Sequence, residues 1–484
     1  MDWREKRALK FFMQRTAPEL EGSFLSQLWY EFFQLATDGR NPIRPAVVAV
    51  ASMHEQYVTS GSADLPLLDY SMEQYNKAIR EVTQLNAAKQ EHAFDLALAA
   101  CVLFSCLEGL RGHYQSLISH ILSGMNIMSH KVVSMDTTRL TTLSRVLLHQ
   151  VLMRVNAQVM AMGDNCMLSN TCTVHLTVIP DAFTSANEAM FALEQLYCAL
   201  MHFYTNADEA FKSQRPSAER AGKLWWQREA FKDHHKQWKR SSTHILHYGP
   251  PSSLSSLSQM PPEALILTIT SISISISLDI DIRNFEIDFD RFEDQFREIV
   301  MAAEVFLDKT SPGTGDKSSL DTKNFWTEYF SDESHIPRSE SSGDSPDSTT
   351  GSGRKHKPEL MPSFSMRFGV VPHLYWAAAR CRSPRIKRRA VLLLLLCNRR
   401  EGLWDSKICG RVAERVITIE ETAALAHKEP AGFDGDKCVL ISASDVPGDS
   451  RVTVLQSKFE AGNKIRISYS DIEGAGETVE ILEL

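Results

Sequence analysis

At 484 residues the chain has room for two to four domains, or for one large helical body with interruptions. Hydrophobic residues at 43% and charged residues at 23% suit an ordinary globular core. The net charge of −8 argues against a free-standing nucleic-acid-binding protein, whose affinity rests on a basic excess meeting phosphates.

The first half reads as helical. "EKRALKFFMQRTAPEL" sets Leu9, Phe12 and Met13 near helical spacing ahead of Pro18. In "SFLSQLWYEFFQLATDG", Ser23 is an N-cap candidate, and Leu28, Phe32 and Leu35 share a face before Gly39. Pro42 opens the next helix, with Pro45 suited to its first turn and Val47, Val48, Ala51 and Met53 following. "SMEQYNKAIREVTQL" continues the pattern. So does "HAFDLALAACVLFSCLEGLRGHYQSLISHILSGMNIM", whose break at Gly109 to Gly112 predicts a helical hairpin. "TTRLTTLSRVLLHQVLMRVNAQVMAM" adds another helix. Ser185 and Glu188 form a capping-box signature for a helix burying Met190, Leu193, Leu196, Tyr197 and Leu200, and "GKLWWQREAFKDHHKQWKRSS" follows it.

Two interruptions come next. Leu265 to Phe289 alternates apolar and polar residues, which is strand periodicity, in a low-complexity Ile/Ser repeat. An edge hairpin and an unfolded insertion are both open readings. Thr310 to Leu360 is rich in Ser, Asp, Gly and Pro and reads as a flexible linker. Helices resume at "VPHLYWAAARCR", "SPRIKRRAVLLLLLCNRR" and "DSKICGRVAERVITIEETAAL". Short β-branched runs close the chain: "KCVLISAS", "SRVTVLQSKF", "KIRISYS" and "ETVEILEL". The expected fold class is therefore mainly α, a large helical body of antiparallel helices with a small C-terminal antiparallel β element. The divisions are 1–309 for the first helical part (with 265–289 as the insertion), 310–360 for a disordered linker, 361–427 for the second helical part and 428–484 for the β-rich tail.

No catalytic motif stands out. "SPGTGDKSS" fails as a phosphate loop because Asp316 separates Gly315 from Lys317, and no G-x-S-x-G, H-E-x-x-H or dinucleotide fingerprint occurs. His234, His235, His244 and His247 lack a carboxylate or thiol partner at metal-ligand spacing, so a solvated face is the expectation. The nine cysteines contain no C-x-x-C pair; reduced, mostly buried thiols in an intracellular protein are expected, with no metal and no cofactor. The N-terminal "MDWREKRALKFFMQRTAPEL" has no apolar signal core. The eight apolar residues Ala390 to Cys397 fall short of the ~20 that a spanning helix needs. They read as a buried helix starting at Pro384, with Leu392, Leu395 and Leu396 facing a core. Arg399 and Arg400 would then lie near its C-terminal dipole. Arg354, Lys355 and Lys357 form a short basic run suited to a nuclear import receptor.

"CRSPRIKRRAVLLLLLCNRREGLWDS" resembles the C-terminal signature of the fungal-specific transcription factor domain of the fungal zinc-cluster transcription factor family. The matching residues are Cys381, Arg382, Pro384, Ile386, Arg388, Arg389 and Ala390, then Arg399, Arg400, Glu401, Gly402, Leu403, Trp404 and Asp405. Arg15 and Pro18 in "RTAP" and the Pro42-Ile43-Arg44 helix start are similar to the family's opening. "QYNKAIR", then Glu108, Gly112, His120 and Gly124, fit its middle helices, and "FTSANEA" a later one. The matches bracket residues from about 10 to 425. The resemblance implies a nuclear transcription regulator, not an enzyme, controlling a metabolic or biosynthetic pathway. It gives these residues structural roles. Family members carry a six-cysteine two-zinc DNA reader before this domain, whereas here no cysteine precedes Cys101. The expectation is a regulator that acts through protein partners, such as a zinc-cluster transcription factor, with no direct DNA reading of its own and no membrane. A small-molecule effector would sit in an apolar pocket between helices. Two alternatives stay open: a zinc cluster encoded upstream of Met1, and a helical enzyme-associated protein whose site is assembled only in space.

Overall fold

Asp2 opens the first helix, α1 (Trp3–Phe11), with a reciprocal cap: its carboxylate accepts from Glu5 N–H at 2.8 Å, and that of Glu5 accepts from Asp2 N–H at 3.1 Å. The computed structural model describes residues 1–24, 27–38, 41–59, 65–85, 93–129, 145–161, 176–213, 217–246, 254–280, 288–310, 361–428, 446–448, 451–460, 464–471 and 477–483. Helical backbone does not stop ahead of Pro18. A π turn (Phe12–Thr16) leads into α2 (Ala17–Glu21), which carries Pro18 in its first turn. Proline has no N–H and crowds the carbonyl four residues back. The wider turn, closed by Ala17 N–H on the Phe12 carbonyl, lets the chain pass through it. Ser23 caps nothing: α3 (Leu28–Thr37) begins later, behind Gln27.

The helix α4 (Ile43–Val58) starts where Asn41 Oδ1 accepts the N–H groups of Ile43 and Arg44, with Pro45 in the first turn. It is buried over most of its length because α1, α3, α5 (Leu65–Thr83) and α6 (Ala93–Arg111) pack around it. The expected hairpin is present. After α6 the chain turns at Gly112, whose φ of 73° suits a residue without Cβ, and returns as α7 (Tyr114–Ser129). Next come α8 (Arg145–Ala161), α9 (Ala186–Ser213), α10 (Ala218–Ser241) and α11 (Leu254–Gln259). Ser185 Oγ accepts from Glu188 N–H at 3.3 Å at the start of α9, and the Glu188 carboxylate takes the Thr184 N–H at 2.8 Å. One hydrophobic cluster extends from Ala8 to Ile417.

The Ile/Ser repeat corrects a sequence expectation. Its stretch up to Asp279 is neither a hairpin nor an unfolded insertion: α12 spans Pro262–Asp279 and is buried on nearly every side, while 281–287 lie outside the described residues. Its residues alternate at period two, so neither face is polar, and a helix apolar all round belongs in a core. The packing of α9, α10 and later helices around it outweighs the β-propensity of isoleucine. Its hydroxyls bond within the helix or to imidazoles of neighbouring helices. Thr268 donates to the Ala264 carbonyl at 2.8 Å and Ser277 to that of Ser273 at 2.9 Å, while Ser271 and Ser273 meet the imidazoles of His235 (3.0 Å) and His373 (2.8 Å). Both α6 and α12 are long and apolar enough to cross a membrane, and both lie mostly inside the protein.

A 3₁₀ turn (Phe289–Phe292) leads into α13 (Glu293–Thr310). After 311–360, which lie outside the described residues together with Arg354, Lys355 and Lys357, come β1 (Ser363–Ser365), α14 (Val371–Arg380) and α15 (Pro384–Leu396). Then follow β2 (Arg399–Glu401), β3 (Trp404–Asp405) and α16 (Ser406–Lys428). β1 pairs parallel to β2, and β3 antiparallel to it, inside the helical body. The chain ends in an antiparallel sheet of β4 (Val452–Glu460), β5 (Lys464–Asp471) and β6 (Glu477–Glu483), with Ile465 and Ile467 packed on Val412 of α16. The mainly α class with a small β element is what the structure has. "KCVLISAS", His247 and Cys166, Cys172 and Cys438 lie outside the described residues.

Candidate functional site

The segment from Arg399 to Ser406 is where distant elements meet. Asn398, at a φ of 44°, turns the chain out of α15, so Arg399 and Arg400 lie in β2 and not at a helix end as their sequence position suggests. Glu401 is fully buried. Its carboxylate accepts three main-chain N–H groups at the start of α14, from Gly369 (3.0 Å), Val370 (3.2 Å) and Val371 (2.9 Å), and Arg399 Nε lies 3.2 Å away. A helix N-terminus favours negative charge, and here the charge sits directly on it. A Cβ on Gly369 would lie 2.2 Å from Glu401 Oε1, so the cap requires glycine there.

Arg400 faces the other way. Its Nε donates to Asp405 at 2.6 Å, its Nη1 to the Leu110 carbonyl at the end of α6 at 3.0 Å, and its guanidinium lies 5.2 Å over the Tyr57 ring. Asp405 caps α16, accepting from the N–H groups of Lys407 (2.9 Å) and Ile408 (3.2 Å). Gly402 combines a φ of 63° with a close approach: an added Cβ would meet Gln158 Oε1 at 2.1 Å. That oxygen accepts the Leu403 N–H at 2.9 Å, and Leu403 is fully buried. One octapeptide thus ties α4, α6, α8, α14 and α16 together.

The other signature residues are spread through the fold. Arg15 pairs with Glu19 at 2.5 Å, and His54 bridges Glu19 (3.1 Å) and Thr16 (3.0 Å) beside Pro18. Glu108 holds Arg111 at 3.0 Å. His120 meets the Tyr75 hydroxyl at 3.0 Å, and burial pushes its pKa down. Gly124 lets α7 approach α8, since a Cβ would lie 2.9 Å from Leu152. Cys381 is buried, its thiol pushed up to about 12 by desolvation. Arg382 pairs with Asp290 at 2.9 Å, and Pro384 starts α15.

The basic run of α15 is mostly internal. Lys387 bonds Glu420, Arg389 bonds Glu304, and Arg388 meets Glu421 at 2.6 Å. Sequence reasoning missed the carboxylates that these cations meet, which lie 33 to 85 residues away along the chain. The leucine run is also corrected. Leu393 and Leu394 are fully buried, whereas Leu392 and Leu396 are 42% and 37% exposed and Leu395 is half-buried. The burial comes from the contacts of α15 with α13, α14 and α16, which place its inward face along Ile386, Ala390, Leu393 and Leu394.

Beside this knot lies a cavity of about 330 Å³. Tyr197, Met201 and Tyr204 of α9 line it, with Ser273 and Ser277 of α12, and Phe289. His373, Tyr375, Trp376 and Arg380 of α14 face these, Trp404 and α16 close one wall, and Val452 and Ile465 of the terminal sheet complete it. The described residues contain no group of three His, Cys, Asp or Glu placed to hold a metal. His244 Nε2 contacts the Phe183 carbonyl at 2.8 Å, and His235 is buried against Ser271.

The chain is similar to fungal transcription regulators. It is 24% identical to the aspercryptin biosynthesis cluster-specific transcription regulator atnN of Emericella nidulans over 519 aligned positions, covering 96% of this chain and 79% of that protein. A shorter likeness, 29% over 94 residues, covers 18% of this chain and 22% of the transcription regulator lscL of Purpureocillium lilacinum. No family model matches the chain, and no solved structure does.

Proposed function

We propose that this chain is a transcription regulator of a fungal biosynthetic gene cluster, acting in the nucleus through protein partners that carry the DNA contact. One observation carries the reading: the likeness to a cluster-specific regulator runs along 96% of the chain. Charge supports partner-borne DNA recognition. The chain is net acidic, and Lys387, Arg388 and Arg389 of its densest basic run are bonded to its own carboxylates. A cation held by a buried carboxylate must abandon it, uncompensated, before it can meet a phosphate. The family resemblance favours a zinc-cluster transcription factor as the partner.

The test is a binding titration of the purified chain on promoter DNA from its neighbouring biosynthetic genes, over a salt series, alone and with a zinc-cluster regulator. At about 150 mM salt the expected result is no retention alone and a supershifted complex with the partner. Tight, salt-dependent binding by the chain alone overturns the partner reading. Unchanged transcription of those genes after deletion of this one overturns the regulator reading itself.

A further inference from the structure

We propose that the cavity between α9, α12, α14 and β3 binds a planar aromatic molecule that carries a carboxylate or carbonyl oxygen at one edge. Three features of the walls lead there. The first is a donor without an acceptor: Trp404 is 6% exposed, lines the cavity, and its indole Nε1–H has no hydrogen-bond partner among the described residues. A buried N–H left unpaired costs about 1–3 kcal/mol, and native proteins leave few of them. The knot holds this ring in place, with Leu403 and Asp405 fixed on either side.

The second feature is aromatic surface. Tyr375 packs against Trp404 at 5.6 Å between ring centroids, and Phe289 and Trp376 meet edge to face at 5.7 Å. Faces and edges at such spacing match a flat π-system better than an aliphatic chain. The third is a cation: Arg380 lines the cavity with its guanidinium 5.7 Å from the Phe289 ring, and among the described lining residues none is Asp or Glu. Burial keeps the Tyr375 phenol protonated, and His373, spent on Ser273, stays neutral. The lining therefore includes donors and a cation suited to an oxygen-bearing edge. The helices supply the floor, and Val452 and Ile465 form the side toward the terminal sheet.

Isothermal titration of the purified full chain with anthraquinone-2-carboxylate tests this, with cyclohexanecarboxylate as a non-aromatic acid of equal charge. Saturable 1:1 binding of the aromatic acid and none of the aliphatic one is expected. Trp404→Phe keeps the ring and removes the donor, and should weaken binding about tenfold. Ala379→Phe, from a half-buried lining position, should fill the space and abolish binding while circular dichroism stays native. No saturable binding by the wild-type chain overturns the proposal, as does equal binding of both acids or unchanged affinity in folded Ala379→Phe. The two wild-type titrations decide the matter if a variant fails to fold. The assay reads ligand binding alone, so its failure leaves the transcriptional reading standing, and the reverse holds too.

Discussion

Glu401 Oε2 accepts the main-chain N–H of Val371 at 2.9 Å, and the same carboxylate takes the two preceding N–H groups. A side chain on a short strand thus caps the helix that bears His373, Tyr375 and Arg380. Glu401→Gln turns one acceptor oxygen into a donor facing N–H groups, and should cost about 2–3 kcal/mol. Gly369→Ala should damage the same cap through its contact with Glu401. Thermal denaturation reads both, and an unchanged midpoint for either would contradict the cap.

Arg389 and Glu304 are a buried ion pair joining α15 to α13, 6% and 0% exposed. Arg389→Met removes the guanidinium that the buried Glu304 carboxylate bonds and should destabilise the protein by about 3–5 kcal/mol. Adding Glu304→Leu should restore much of that loss, because an apolar pair of similar volume avoids burying charge. Urea titrations of the two single variants and the double variant close the cycle. Additive losses would show that the two side chains do not act as a pair.

His235 and His373 clamp α12 from opposite helices and are held neutral. Burial, with Lys239 and His234 nearby, pushes His235 down to about 3, and burial alone pushes His373 down to about 4. In the unfolded chain each titrates near about 6.5. Below that pH the unfolded state binds protons that the folded state refuses, so stability falls as pH falls. The slope is about 1.4 kcal/mol per pH unit for each histidine, down to about pH 4 for His373 and about pH 3 for His235. Urea midpoints between pH 7 and 5.5, above most carboxylate titration, should therefore drop, and less steeply in His373→Gln. A flat profile across that window would contradict neutral buried imidazoles.

Neighbouring leucines of α15 should behave differently. Leu394→Ala empties a fully buried site and should cost about 2–5 kcal/mol. Leu392→Gln, at a 42% exposed position, should stay within about 0.5 kcal/mol of wild type. Equal losses from the two substitutions would place the inward face of the helix elsewhere.

Helix-forming stretches were legible wherever apolar residues recur at helical spacing, as in α4, α6 and α9, and the hairpin at Gly112 announced itself through its glycines. The terminal sheet was legible from its β-branched runs. α12 was not, because alternation of Ile and Ser is the same pattern whether it lies in a strand or in a helix enclosed on all sides. The signature residues could be singled out, but their partners could not. Nothing local tells Arg389 that Glu304 awaits it, or Gly402 that Gln158 lies against it.

By itself, then, the sequence determined the mainly helical class, the β-rich end and the likeness to fungal regulators, since these depend on local periodicity and on short motifs. Only the tertiary structure decided that the basic run is spent on internal carboxylates, that Glu401 caps α14 and that Trp404 lines a cavity with its N–H unpaired among the described residues. Each of these joins groups remote along the chain. Such contacts follow from how the helices pack, and side-chain spacing carries no record of that.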